Sequence, residues 1–391
     1  MTSTKTLVDY GSDSSNSAQR IVLASRRPAS LGSTPAGAVA LSMGEPDAGT
    51  PSPIVEAAIE ALRNGRTRYT NLSGAPELRR SLAEGLSVRS GQNLSPDQIV
   101  ITHGGSAGLA ATILALINPG DKVLIPEPTY SLYADHLAMV GAEAIWVANL
   151  ADGTLDLERL AREAAGTRMI ILCNPGNPTG RVYSAGELRE LAVILEAHPH
   201  LLLLSDEAYA DIIFDGMEFL SVLELHAIAD QVICCSTFSK TYAMTGWRLG
   251  YVVASRQVSE KINLLHRTLN GSINTFVQDA ALVALETPSE HLRLMAGSYQ
   301  ARRDIVVAKI SGIPGLSMLP PQGAFYAFVK IDSGLTSDEM TARFAAAGVI
   351  VRSGSEFGPS GEGHVRLSFA TDPENLELGL DRFVEAARNF M

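Results

Sequence analysis

Lys240 stands in Ser236-Thr237-Phe238-Ser239-Lys240-Thr241-Tyr242-Ala243-Met244-Thr245-Gly246-Trp247-Arg248, as one of six lysines in a chain of 391 residues. The run before it, Val232-Ile233-Cys234-Cys235, is apolar and strand-like. A lysine amine attacks carbonyls only when desolvation or a neighbouring cation lowers its pKa, and the end of a buried strand offers the first. Thr237, Ser239 and Arg248 add the hydroxyls and the guanidinium that a phosphate takes. These types together suit a Schiff base with a phosphorylated aldehyde. Taken alone, Lys240 reads equally well as a surface lysine after a strand.

Further residues with chemical potential sit at comparable places. Asp206 follows Leu201-Leu202-Leu203-Leu204, and a carboxylate ending a buried strand costs several kcal/mol unless it is paired; a cap on the next helix is its other reading. Gly104-Gly105-Ser106 precedes an apolar helical run, so Gly105, Ser106 and Ala107 could offer free N–H groups to an anion. That segment is neither a dinucleotide fingerprint nor a Walker loop, because the glycine spacing and the Gly-Lys-Ser/Thr ending are missing. Asn177 lies in Asn174-Pro175-Gly176-Asn177-Pro178-Thr179-Gly180, which is also a good turn in its own right. Arg366, in His364-Val365-Arg366-Leu367-Ser368, alternates with apolar neighbours and reads as a clamp or as a rim residue.

The elements that must position these groups alternate along the chain. Ile99–Thr102, Lys122–Ile125, Ala144–Val147, Met169–Cys173, Leu201–Ser205 and Val232–Cys235 read as strands. Helical stretches such as Ser106–Ile117 and Ala185–Ala197 separate them, and Pro53 opens an earlier helix through Leu62. Near-continuous apolar strands alternating with helices predict an α/β fold with a mostly parallel sheet covered on both faces. Ligand crevices of such sheets lie at the carboxyl ends of the strands, where Gly105, Tyr130, Asn177, Asp206 and Lys240 all fall. After Glu286 the pattern changes to a long helix (Ser289–Ile313), an alternating strand (Gly323–Val329), a helix (Ser337–Ala347) and strands at Val349–Arg352 and Val365–Phe369. This predicts a smaller α+β C-terminal domain. The expected division is an N-terminal arm over 1–35, a large domain over 36–285 whose opening part is free to join the small one, and a small domain over 286–391.

Composition bounds the partners. An apolar share of 46% with 19% charged residues is globular. The formal net charge of -11 argues against nucleic acid and anionic membrane surfaces. Cys173, Cys234 and Cys235 are an odd number in apolar contexts, so they read as free thiols in a reducing, cytoplasmic setting. The polar start carries no signal-peptide pattern, no apolar run reaches a membrane span, and no metal-ligand spacing is present.

In order along the chain, Gly44-Glu45-Pro46-Asp47, Tyr69-Thr70 with Gly74, Asn174 to Gly180, Ser205-Asp206-Glu207-Ala208-Tyr209, Ser239-Lys240, Met244 to Arg248, and Arg366 resemble the aspartate aminotransferase family. These are the class I pyridoxal-phosphate enzymes of fold type I, and the resemblance runs from about Leu41 to the end. It implies that Lys240 holds the cofactor aldehyde and moves the proton, and that Asp206 pairs with the pyridinium nitrogen. It implies that Asn177 and Tyr209 donate to the ring oxygen and that Tyr130 stacks on the ring. Gly105, Ser106, Ala107, Thr237, Ser239 and Arg248 would hold the phosphate, with Tyr69 lent to the other subunit of a homodimer. Arg366, Gly44 and Asn177 would bind the substrate carboxylate. One departure is Ser353 before Gly354, where the family usually has Pro; Arg352 precedes it.

The resemblance implies an aminotransferase that passes the amino group of an L-amino acid to a 2-oxo acid by a ping-pong mechanism. A β-eliminating lyase or a cyclising synthase of the aminocyclopropane-carboxylate type shares the cofactor site and is the alternative. A transcription regulator with such an effector domain needs an N-terminal DNA-binding domain, for which the roughly forty polar residues before Leu41 leave no room. Arg26, Arg27, Arg68 and Arg352 are candidates to favour an acidic substrate side chain, and each also reads as a solvated cation.

Overall fold

The computed structural model describes residues 15–26 and 35–390. Arg27 and most of the expected 1–35 arm therefore lie outside the described residues. Within that arm, Asn16–Ala24 is a helix capped by Ser15. It lies on the helix Leu132–Val140, where Arg20 donates to the carbonyls of Ala138 (2.7 Å) and Met139 (2.9 Å).

A seven-stranded sheet forms the larger layer, in the order Ile99–Thr102, Gly250–Val253, Val232–Thr237, Leu202–Asp206, Met169–Cys173, Lys122–Glu127 and Glu143–Ala148. Only Gly250–Val253 runs against the rest. The leucine run before Asp206 shows why both faces are covered. Successive strand side chains point to opposite faces, so Leu203 packs in one apolar cluster and Leu202 and Leu204 in another. The helices follow the 3.6-residue period: in Ala185–Glu196, opened by a Ser184/Glu187 capping box, the buried residues are Leu188, Leu191, Ala192 and Leu195.

A four-stranded antiparallel sheet, Arg352–Ser353, His364–Ser368, Tyr326–Ile331 and Leu316–Ser317, carries its own core with the helices Ser289–Ile310, Ser337–Ala346 and Pro373–Arg388. This is the smaller α+β layer. Val39–Ala40 joins it, pairing in parallel with Val349–Ile350, and Leu41 is fully buried in its core. The strand expected over Val349–Arg352 is thus two pieces. The chain changes partners at Val351, from Val39–Ala40 to His364–Ser368. Gly250–Val253 and the helices Arg256–Asn270 and Thr275–Leu285 were not among the expected elements. No helix among the described residues is long and apolar enough to cross a membrane.

Candidate active site

At the carboxyl ends of the sheet strands a cleft of about 300 Å³ opens against the smaller layer. Of the residues expected to act, Gly44, Gly105, Ser106, Tyr130, Asn177, Asp206, Tyr209, Thr237, Ser239, Lys240, Arg248 and Arg366 all line it. Ala107 sits in the first turn of the adjoining helix without lining the cleft, and Tyr69 projects elsewhere, 97% exposed. Of the candidate side-chain readers, Arg352 lines the cleft, Arg26 lines a neighbouring cavity, and Arg68 lines neither.

Lys240 follows the strand Val232–Thr237, and its Nζ donates to the carbonyl oxygen of Gly44 at 2.5 Å. Desolvation lowers its pKa to about 8, only partly offset by the Glu45 carboxylate. About a tenth of the amine is therefore neutral, and so nucleophilic, at pH 7, far more than for an ordinary lysine. Asp206, 6% exposed, ends the strand Leu202–Asp206. It accepts hydrogen bonds from neutral donors, the Tyr133 hydroxyl at 2.9 Å and the Ala208 N–H at 3.3 Å. Burial pushes its carboxyl up to about 6. Such a carboxylate is stabilised by any cation placed against it.

The helix Gly104–Leu116 has no side-chain N-cap, and its first residue adopts φ +77°. Its first N–H groups therefore face the cleft available to an anion. Gly250 allows this approach: a Cβ there would stand 2.8 Å from the backbone of Gly104, Gly105 and Ser236. Thr237 donates to the Ser239 hydroxyl (2.8 Å) or to the carbonyl of Leu249 (2.9 Å), and Arg248 Nη1 donates to the carbonyl of Thr245 (2.8 Å).

Arg366 is 6% exposed, and burial lowers its pKa. It donates from Nη1 to Asn177 Oδ1 (3.0 Å) and from Nη2 to the carbonyl of Ser42 (2.6 Å), and lies over the rings of Tyr326 (4.4 Å) and Phe357 (5.0 Å). Its Nε is buried with no hydrogen-bond partner. A buried guanidinium held by neutral acceptors, with a donor to spare, suits an incoming carboxylate.

Two side chains at the site, Tyr326 lining the cleft and Tyr133 behind Asp206, escaped sequence reading. Tyr133, fully buried, donates to Asp206, but in sequence it is one more apolar residue of a helix. Tyr326 shares a 2.8 Å hydrogen bond with Tyr209, and its hydroxyl stands where a Cβ at Gly44 would be. A side chain at position 44 would have to displace that hydroxyl. The alternation of Gly323–Val329 predicted a strand there, yet nothing local marks Tyr326 as a site residue. Burial raises the pKa of both Tyr209 and Tyr326, so each remains a phenol able to donate.

This fold, with a desolvated lysine, a buried carboxylate ending a neighbouring strand and an anion-ready helix start, defines a pyridoxal-phosphate enzyme of fold type I. The sequence profile described as "Aminotransferase class I and II" matches residues 36–383, and the chain belongs to that family. A putative aminotransferase of Bacillus subtilis is 37% identical over 358 residues, covering 90% of this chain and 92% of that protein. An arginine–pyruvate transaminase of Pseudomonas aeruginosa is 36% identical, with 90% of each chain covered. The crystal structure of an aromatic aminotransferase from Pyrococcus horikoshii matches with a TM-score of 0.88 at 33% identity, covering 95% of this chain and 99% of the other. The protein is a transaminase with pyridoxal 5'-phosphate as its cofactor, and these relatives do not favour the lyase or synthase alternative. The residues fit that cofactor: Asp206 offers a carboxylate to a ring cation, the uncapped helix an anion site, and Lys240 a partly neutral amine.

Proposed function

We propose that this enzyme transfers the amino group of an L-amino acid to a 2-oxo acid in two half-reactions that share one site, with Lys240 as the Schiff-base lysine. The desolvated, partly neutral Lys240 amine inside the cleft carries the reading. Bound pyridoxal phosphate supplies an electron-withdrawing ring that stabilises negative charge at the substrate α-carbon. Asp206 holds the ring nitrogen, and its buried setting makes that pairing strong. Tyr209 and Asn177 donate to the ring oxygen, and Tyr130 packs against the ring. The first-turn N–H groups of Gly105, Ser106 and Ala107, the hydroxyls of Thr237 and Ser239, and Arg248 take the phosphate. Arg366, with Gly44 and Asn177 beside it, would orient the α-carboxylate, and Lys240 would carry the proton to and from the α-carbon.

The same reading makes the enzyme a cytoplasmic homodimer in which Tyr69 completes the partner's phosphate site. The near-complete exposure of Tyr69 and the buried, unpaired thiols of Cys173, Cys234 and Cys235 support it. It also keeps the division near residue 285, on the strength of the separate core of the smaller layer.

The test is a donor-only reaction. Without an acceptor, the loaded enzyme should convert one equivalent of amino acid per site into 2-oxo acid and stop, and adding 2-oxoglutarate or pyruvate should restart it. Ammonia release over many turnovers would overturn the reading. Lys240→Ala should fold, retain phosphate affinity and lose turnover by at least about 10⁴-fold, as expected when a covalent and proton-transfer group is removed.

A further inference from the structure

The proposed mechanism leaves the buried carboxylate of Glu127 unused. Glu127 is 4% exposed and ends the strand Lys122–Glu127 of the larger layer. A buried carboxylate is costly unless hydrogen bonds offset the lost water, so its partner is informative. That partner belongs to the smaller layer: the N–H of Ser360 donates to Glu127 Oε2 at 3.0 Å.

Ser360 lies in a loop, 354–361, that is pinched at its base. Gly354 and Gly361 cross so closely that a Cβ on either would meet the other's carbonyl oxygen. Bonds within the smaller layer fix this loop. Ser353 Oγ donates to Asp338 Oδ1 (2.6 Å), the Ser337 N–H to Glu362 Oε1 (2.7 Å), and Arg352 Nε to Glu356 Oε2 (3.0 Å). The larger layer grips the same loop at two points. Besides the Glu127 contact, the N–H of Thr129 donates to the carbonyl oxygen of Phe357 at 2.8 Å. Gly358 makes room for the grip: it adopts φ +120°, and a Cβ there would stand where the Glu127 carboxylate lies.

What the grip holds is Phe357. Its ring lines the cleft, lies 5.0 Å from the Arg366 guanidinium and meets Phe328 edge-on at 6.0 Å. On the far side lies a separate cavity of about 600 Å³, lined by Glu127, Phe328 and Ser360 among others. The loop therefore has room to shift once the grip is lost.

We propose that Glu127 is a positioning residue: by latching the 354–361 loop to the strand end, it keeps Phe357 against Arg366 and so sets the affinity for the substrate α-carboxylate. The proposal rests on the role of Arg366 given above. The latch works through the hydrogen bond and not through a full negative charge. Burial pushes the Glu127 carboxyl up, against the lowering effect of Ser360 and Arg159, so a neutral carboxamide is a close substitute.

Steady-state kinetics of the holoenzyme and calorimetric binding of butyrate, an unreactive monocarboxylate, test this. Glu127→Ala should raise KM for both substrates about tenfold, leave kcat within about threefold and weaken butyrate about tenfold, the scale of one lost hydrogen bond. Glu127→Gln keeps an acceptor for Ser360 and should stay within about twofold of the native KM. Because Glu127 acts through Phe357, its effect should largely vanish in a Phe357→Leu background, whereas independent effects would multiply. A Glu127→Ala enzyme that loses only melting temperature, with KM and butyrate affinity unchanged, overturns the proposal. So does a KM rise that multiplies with that of Phe357→Leu, or a Glu127→Gln enzyme as impaired as Glu127→Ala. Failure of the underlying reading looks different. Butyrate binding that survives Arg366→Gln would overturn the role of Arg366 and the latch with it. If no donor turns over at all, the proposed function fails, while butyrate binding to the Glu127 variants still decides the latch.

Discussion

At the scale of single residues, the groups most legible in the sequence are those that interrupt an apolar strand. Asp206 ends a leucine run and Lys240 follows Val232-Ile233-Cys234-Cys235, so a polar group is forced to the crevice edge with a desolvation cost to justify. Tyr133, Tyr326 and the pairing of Arg352 with Glu356 had no such signal, because their partners lie on other elements or across a turn. The pKa of Lys240 gives the first prediction. Its folded value of about 8 lies below the ordinary 10.5, so the amine is mostly neutral above pH 8 and mostly charged below. The rate at which ligand-free enzyme captures pyridoxal phosphate should therefore rise with pH and level off above about 8, as followed by absorbance; a pH-independent rate would contradict the assignment. The second concerns Asp206. Asp206→Asn keeps the shape but removes the charge, and kcat should fall by at least about 100-fold, with the fold intact by circular dichroism.

At the scale of elements, strands with continuous apolar runs were found from sequence, and Gly250–Val253 was missed. It is four residues long, follows the polar Thr245–Arg248 stretch and runs opposite to its neighbours, so neither length nor alternation sets it apart. The helix Gly104–Leu116 was found, but what steadies its start is non-local. The N–H of His103 donates to Nε2 of His266 at 3.2 Å, and the two rings stack at 5.6 Å. That bond requires His266 neutral at Nε2, and burial lowers its pKa to about 4. With a folded value below the ordinary 6.5, the unfolded chain binds the extra proton between pH 6.5 and 4, so stability is lost as pH falls through that window. Urea unfolding should show His266 contributing ~2 kcal/mol of loss between pH 6.5 and 5, beyond other groups. His266→Gln, which keeps an acceptor without the titration, should flatten that part of the profile.

At the scale of the whole molecule, the segment from Val39 to Asp47 connects the layers. Val39–Ala40 pairs with Val349–Ile350, Ser42 and Gly44 accept from Arg366 and Lys240, Glu45 accepts from Thr245, and Asp47 pairs with Arg302 at 2.7 Å. In the sequence, Gly44-Glu45-Pro46-Asp47 stands out as a family motif but the strap does not, because a two-residue parallel pairing across some 300 residues leaves no local pattern. Leu41 anchors this strap: it is fully buried in the smaller core, and Gly379 clears space for it, where a Cβ would come within 2.9 Å of Cδ1. Leu41→Ala should cost about 3 kcal/mol, the usual scale for a buried leucine. Leu191→Ala, in the other core on the helix Ala185–Glu196, should cost a similar amount. Their kinetics should differ. Loosening Leu41 frees the carbonyls that hold Arg366 and Lys240, so KM for both substrates should rise roughly tenfold, the effect of losing about 1.4 kcal/mol of positioning. Leu191→Ala touches no residue of the cleft and should leave KM unchanged at a temperature where both variants remain folded. Equal KM values for the two variants would show that the strap contributes stability alone.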